Sequence, residues 1–267
     1  MSLITVDPQR CTRDGICSAE CPLGLIQPDA EGLPQAVPGA EAFCAACGHC
    51  VAYCPHGALS LTGSHPLAPD DCRPVRRDIQ PGPEALTALF ETRRSVRSFK
   101  DKPVERAVID GLLDVVRYAP SGLNHQPVHW LVSGSAQSTR QLAGLIKDWL
   151  QQNNVFPGLV AAWDQGKDMI LRGAPHVIVA HADAGVGSSQ MDCVIAGTWL
   201  ELLIHTHGLG ACWAGMLIMA ASAGHAPLLD ALNIPDGHKV FAALMLGHPR
   251  YRIARIPARL PARVRWI

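Results

Sequence analysis

The residues best equipped for chemistry in this sequence are cysteines. Cys44, Cys47, Cys50 and Cys54, followed by Pro55, form the run C-x2-C-x2-C-x3-C-P, a spacing whose thiolates wrap polynuclear iron–sulfur clusters that carry single electrons. The same frame occurs upstream as Cys11, Asp14, Cys17 and Cys21, followed by Pro22, with aspartate in the second place. A carboxylate oxygen is harder than a thiolate and less covalent toward iron, so that corner is expected to be labile. Three readings stay open: Asp14 binds the fourth iron, the site is a 3Fe-4S cluster, or Asp14 is an unliganded turn residue. Closely spaced cysteines also build structural zinc sites, but those rarely need three intervals and a trailing proline, twice in register.

A second set suits phosphate. Arg93, Arg94, Ser95, Arg97 and Ser98 crowd together; guanidinium forks grip phosphate oxygens in pairs and hydroxyls add donors. Alone, such a cluster also suits a solvated face. Farther on, Ala119 to Pro127 joins proline, glycine and asparagine in a tight loop, whose amides and hydroxyls suit the polar rim of a flavin ring or its ribityl chain. His125 and His129 are read as structural before catalytic. Cys193 and Cys212 lie in apolar surroundings and are read as packing residues before nucleophiles.

The elements that must position these groups fall into an α+β pattern. Seven of the ten cysteines precede residue 55, and a unit over residues 1–62 of this size needs bound clusters for stability. Prolines 66, 69, 74, 81 and 83 mark residues 63–83 as a semi-rigid linker. In residues 84–267, helices are expected over Pro103 to Tyr118, with Val104, Val108, Leu112 and Val115 on one face, over 136–151, and over the all-round apolar Asp192 to His207. Strands are expected at Val128 to Val132, His176 to His181 and Val240 to Leu246. Gln151 to Gly173 reads as a lid or a plain surface helix. Hydrophobic residues are 48% and charged ones 17%, the latter below the roughly 25% usual in soluble domains, which suits a subunit with a large interface.

The N-terminal cysteine runs resemble a two-cluster ferredoxin. That resemblance implies crossed ligation, with Cys44, Cys47, Cys50 and Cys21 on one 4Fe-4S cluster and Cys11, Cys17 and Cys54, with or without Asp14, on the other. The second domain resembles the nitroreductase family of FMN enzymes through the arginine run, the Ala119 to Pro127 loop, Gly208 to Gly215, and Gly247 to Arg250 with Arg255 to Arg259. The likeness implies an intertwined homodimer. It also implies that Arg93, Arg94, Ser95 and Arg97, aided by Arg255 or Arg259, hold the FMN phosphate and ribityl end. Pro120, Ser121, Asn124 and Gln126 would line the site, and Ala214 and Gly215 would lie against the ring.

The implied function is an FMN-dependent oxidoreductase fed through its clusters, reducing a nitroaromatic, a quinone or an activated alkene. A non-catalytic electron relay or redox sensor is the alternative. No G-x-G-x-x-G fingerprint follows a strand, so reduced ferredoxin is the expected donor ahead of NAD(P)H. The formal net charge is zero, and the six arginines after Gly247 come without aromatic interleaving, which speaks against nucleic acid. The start of the chain reads as neither signal nor transit peptide, and no stretch reaches a membrane span, so a cytoplasmic protein without membrane contact is expected.

Overall fold

The computed structural model describes residues 2–63 and 65–267; Met1 and Ser64, which the 1–62 and 63–83 ranges include, lie outside the described residues. Two compact units are present, Met1–Gln80 with Leu123–His125, and Pro81–Gly122 with Gln126–Ile267.

The first unit is a doubled fold. Its apolar end pieces pair with each other: β1 (Ile4–Val6) runs antiparallel to a later strand, Leu59–Leu61, with Ile4 opposite Leu61 and Val6 opposite Leu59. Between them lie the one-turn helix α1 (Ile16–Ala19), the hairpin of β2 (Ile26–Pro28) and β3 (Pro34–Ala36), and the one-turn helix α2 (His49–Ala52); Leu59–Leu61 is β4. Each short helix is entered through a left-handed glycine, Gly15 at φ 73° and Gly48 at φ 75°, a conformation that costs other residues a Cβ clash. Arg13 and Ala46, and then Gly24 and Gly57, repeat positive φ at the same offset as the two cysteine runs. Leu3, Ile4, Leu25, Ile26, Val51, Leu59 and Leu61 form a small core. Leu67 folds back onto Leu61 through a pair of backbone hydrogen bonds of 2.9 and 3.2 Å, so the proline-rich stretch begins as part of this unit.

The second unit is a sheet sandwiched by helices. Its helices are α3 (Pro83–Thr92), α4 (Arg106–Val116), α5 (Ala136–Gln152), α6 (Pro157–Asp164), α7 (Ser189–Thr206), α8 (Gly215–Ser222) and α9 (Ala226–Ala231). The strands β5 (His129–Val132), β6 (His176–Asp183), β7 (Gly210–Trp213) and β8 (His238–Gly247) form an antiparallel sheet in the order β5-β6-β8-β7. Period-two alternation divides the central strands between two cores. Val177, Val179, Ala243 and Met245 meet Leu142, Ile146 and Leu150 of α5 and Leu217 of α8. Ile178, Leu244 and Leu246 meet Ile109, Leu112 and Val116 of α4 and Leu200 and Ile204 of α7.

One boundary differs from the periodicity reading. Helix α4 starts at Arg106, after an extended Glu105, and buries Ile109, Leu112 and Val116 while Val115 is half exposed. The cause is Val104, whose amide donates to His176 Nε2 at 3.1 Å and so stays outside the helix. The glycine-rich stretch from Gly208 divides into β7 and α8. Among the described residues no helix is long and apolar enough to cross a membrane.

Candidate functional site

In the first unit the cysteines line two pockets in the crossed arrangement. Cys21, Cys44, Cys47 and Cys50 border one, beside Leu3, Leu25 and Ile26. Cys11, Asp14, Cys17 and Cys54 border the other, beside Val6, Pro34 and Leu59. The fold crosses the fourth cysteines because each follows its short helix and turns toward the opposite run. Each then accepts an amide hydrogen bond: Leu25 N donates to Cys21 Sγ at 3.3 Å, and Ala58 N to Cys54 Sγ at 3.2 Å. Such donors favour the anionic sulfur. Burial, then the neighbouring thiols of Cys47 and Cys44, push the Cys50 thiol up to about 12, so ligation of iron at neutral pH must displace a proton. Burial also raises Cys17, with the nearby charge of Asp14 adding to it.

These donors fit iron–sulfur clusters. Among the described residues no three His, Cys, Asp or Glu side chains are grouped to hold one metal ion; the sulfurs border a shared volume, as a polynuclear group requires. Asp14 lines its pocket, but its carboxylate is engaged locally, Oδ1 accepting from Ile16 N and Oδ2 from Thr12 Oγ1, both at 3.0 Å.

In the second unit the arginine run lies beside β7. Ser95 bridges Ala211 in parallel, and Val96 N donates to the Ala211 carbonyl at 2.8 Å. On the far side Arg250 N donates to the Ser98 carbonyl at 2.9 Å, and Lys100 N to that of His248 at 2.9 Å. Close approach requires Gly210: a Cβ there would stand 2.6 Å from Val96 Cγ2. Gly210→Ala is therefore expected to cost about 1–3 kcal/mol of stability through overpacking, read as a lower thermal midpoint; an unchanged midpoint would show that Val96 moves freely.

The run so held opens on a cavity of about 510 Å³ lined by Thr92, Arg94, Ser95, Val96, Arg97, Ser98, His205, Gly208, Leu209, Pro249, Tyr251, Arg252 and Ile253. Three guanidinium groups and four hydroxyls border it and no carboxylate does, a donor set matched to a phosphate ester. The volume is within the usual range for a cofactor cleft. FMN fits both the chemistry and the size.

The remaining sites expected from sequence are not among the residues that line this cavity. Arg93 turns away and pairs with Glu201 at 2.9 Å. Ser121 Oγ accepts from Gln126 N at 3.0 Å, closing a loop in which Leu123, Asn124 and Gln126 have positive φ. Pro120 is exposed at its start. Gly122 N donates to the buried Asp192 Oδ1 at 3.0 Å. Asn124, grouped with the first unit, donates from Nδ2 to the Ala46 carbonyl at 3.0 Å. Ala214 is buried with its amide on the Ala243 carbonyl at 2.8 Å, and Gly215 is exposed, with nothing within 4 Å of where a Cβ would be. Arg255 and Arg259 are exposed on the irregular C-terminal segment. Sequence reasoning missed Thr92, His205, Tyr251 and Arg252; of these only Arg252, inside the arginine-rich C-terminal stretch, carried a signal.

His129 belongs to a histidine cluster on three adjacent strands. His181 Nδ1 lies 3.0 Å from His238 Nδ1, and the His129 ring centroid is 5.4 Å from that of His181 and 5.1 Å from that of His238. Burial, then His238 and His129, lower His181 from 6.5 to about 4. The unfolded chain takes up a proton in that window that folded His181 refuses, so His181 makes the fold lose stability as pH falls from about 6.5 toward 4. Unfolding midpoints of His181→Phe should depend less on pH there than those of the wild type; parallel curves would sink the assignment.

Residues 90–248 match the nitroreductase family, and residues 3–55 match the 4Fe-4S dicluster domain. An FMN reductase (NAD(P)H) of Bacillus subtilis strain 168 is 28% identical over 190 residues, covering 67% of this chain and 70% of its own. The FMN-bound nitroreductase of Bacteroides fragilis NCTC 9343 superposes with a TM-score of 0.57 at 20% identity, over 68% of this chain and 97% of its own. A nitroreductase with bound FMN from Desulfitobacterium hafniense DCB-2 gives the same TM-score of 0.57, identity of 20%, and coverage of 68% and 97%. The family match takes in more than half of the chain, from the end of α3 past the last strand: the chain belongs to the nitroreductase family and carries a 4Fe-4S dicluster domain ahead of it.

Proposed function

We propose that this protein is an FMN-dependent oxidoreductase, supplied with electrons through its iron–sulfur unit, that reduces a small organic acceptor such as a nitroaromatic, a quinone or an activated alkene. The observation that carries the reading is that a single chain has both crossed cysteine pockets and a carboxylate-free arginine cavity. When bound, the clusters supply single-electron storage and FMN the exchange between single electrons and pairs, so a one-electron donor can serve a two-electron reduction.

The chain's own residues supply binding and placement. Arg94, Arg97 and Arg252 neutralise the phosphate and Ser95 adds a hydroxyl. Ser121 and Gln126 line the ring end, and Gly215 admits the ring close to the backbone. Cys21 joins Cys44, Cys47 and Cys50 on one cluster, and Cys54 joins Cys11 and Cys17 on the other. A homodimer is part of this reading, supported by the exposed Met191, Val194 and Trp199 of α7 and the exposed Leu260, Val264 and Trp266 of the C-terminal segment. Ten cysteines, seven of them in the cluster runs, suit a reducing compartment such as the cytoplasm.

The Asp14 corner is proposed as the weak one, because its carboxylate is already satisfied by Thr12 and Ile16. Asp14→Cys should raise the iron retained after exposure to air; equal loss from variant and wild type would contradict this.

Reduced ferredoxin is the proposed donor, with NAD(P)H, named for the B. subtilis relative, as the competitor. Anaerobic stopped-flow mixing decides. Flavin bleaching by reduced ferredoxin, and slow or none by NADH and NADPH, is expected; rapid bleaching by a nucleotide alone overturns the donor. Protein without bound iron or flavin overturns the whole reading.

A further inference from the structure

Two side chains of α7, one helical turn apart, grip the end of α3. His205 Nε2 lies 3.3 Å from Thr92 Oγ1, and that hydroxyl donates to the Ala88 carbonyl at 2.6 Å. The hydroxyl has one proton, so it must accept from His205, which places the ring proton on Nε2. Glu201 holds the next residue: Oε1 accepts from Arg93 Nη1 at 2.9 Å, while Oε2 accepts from Trp213 Nε1 at 3.2 Å.

Three observations make this carboxylate more than a surface ion pair. Its side chain is 8% exposed, and both of its oxygens are bonded. It interrupts the otherwise apolar run from Trp199 to Ile204, where an unpaired charge would be costly. Its two partners also directly precede the residues of interest: Arg93 runs into Arg94 and Ser95 of the cavity, and Trp213 into Ala214 and Gly215. A buried carboxylate with two fixed donors has little freedom, and it passes that rigidity to both segments it touches, the end of α3 and the end of β7.

We propose that Glu201 is a positioning residue for the flavin phosphate. It takes Arg93 out of the phosphate-binding set and uses it as the anchor of the motif, leaving the phosphate to Arg94, Ser95, Arg97 and Arg252. This rests on the reading that the arginine cavity holds the FMN phosphate. The competing assignment, in which Arg93 itself grips the phosphate, predicts the opposite sign: removing the acid would free Arg93 for the phosphate and tighten FMN.

The readout is the ratio of riboflavin to FMN dissociation constants for the full-length protein, because the two flavins differ only in the phosphate. Wild type should prefer FMN strongly. Glu201→Gln should cut that preference about tenfold, the scale of one hydrogen bond to a charged group, with riboflavin binding changed less. Arg93→Met should do the same, and the double variant should lose no more than either alone. Trp213→Phe, which frees one oxygen but leaves Arg93 held by the other, should cut the preference less than Glu201→Gln does. If Glu201→Gln does not fold, Glu201→Asp, which keeps the charge and shortens the reach, carries the same expected sign.

An unchanged or increased FMN preference in a folded Glu201 variant overturns the proposal, as does equal weakening of both flavins, the mark of a merely structural role. A wild-type protein that binds riboflavin as tightly as FMN instead overturns the cavity reading on which the proposal rests.

Discussion

Replacing Cys21 with alanine should destroy the same cluster as replacing Cys50, although Cys21 belongs to the other cysteine run. Replacing Cys54 should destroy the cluster held by Cys11 and Cys17. The crossing follows from the pockets, one bordered by Cys21 with Cys44, Cys47 and Cys50, the other by Cys54 with Cys11, Asp14 and Cys17. The Cys21 and Cys50 variants should each lose about four iron atoms per chain, the content of one cubane, and the Cys54 variant about three or four, according to what Asp14 holds. Cys50→Ala should also cost the most stability, because Cys50 is buried beside Cys47, Cys44 and Cys21 in the small core. Loss of one cluster should also loosen the whole first unit, whose core is small enough to need the bound group's folding energy. Iron and sulfide counts, with electron spin resonance of the reduced protein, provide the check. If Cys21→Ala spared the cluster of Cys44, Cys47 and Cys50 and removed the other, the crossing would be wrong.

Removing Arg94 or Arg97, two of the three cavity arginines, should cost a large share of the phosphate's contribution to FMN binding. Arg94 and Arg97 border a cavity without any carboxylate, so neither has a competing acid there to satisfy. A hydrogen bond to a charged group contributes about 1.5–3 kcal/mol, so Arg94→Met or Arg97→Met should weaken FMN about 10- to 100-fold. Riboflavin binding should barely change. The Arg97 effect should fall more steeply with added salt, because Arg97 is exposed while Arg94 is half-buried, and solvent-exposed charges are screened first. Flavin fluorescence titration at two ionic strengths measures both. Equal FMN and riboflavin losses would place the phosphate elsewhere.

Local spacing carried much of this molecule's organisation. The cysteine frame exposed both cluster runs because the ligands of a small inorganic group must be near one another along a tightly turning chain, and the turns recur with the frame. Period-two and helical patterns located β5, β6, β8, α5 and α7 to within a few residues. Helix α4 was misplaced at its start because a tertiary contact, the Val104 amide on His176, outweighs a proline's preference for the first turn. The arginine run by composition alone suited either phosphate or a solvated face, and only its place beside the other family-like segments favoured phosphate.

What sequence determined by itself is which groups are present and how they repeat, since those depend on neighbours a few bonds away. Only the tertiary structure decided which arginines border the cavity, that Arg93 spends its charge on Glu201, and that Arg252 and His205 come from distant segments to complete the lining. Those choices rest on packing between residues more than a hundred positions apart, set by how α3, α7 and β7 meet across a shared core, and no spacing along the chain encodes such a meeting.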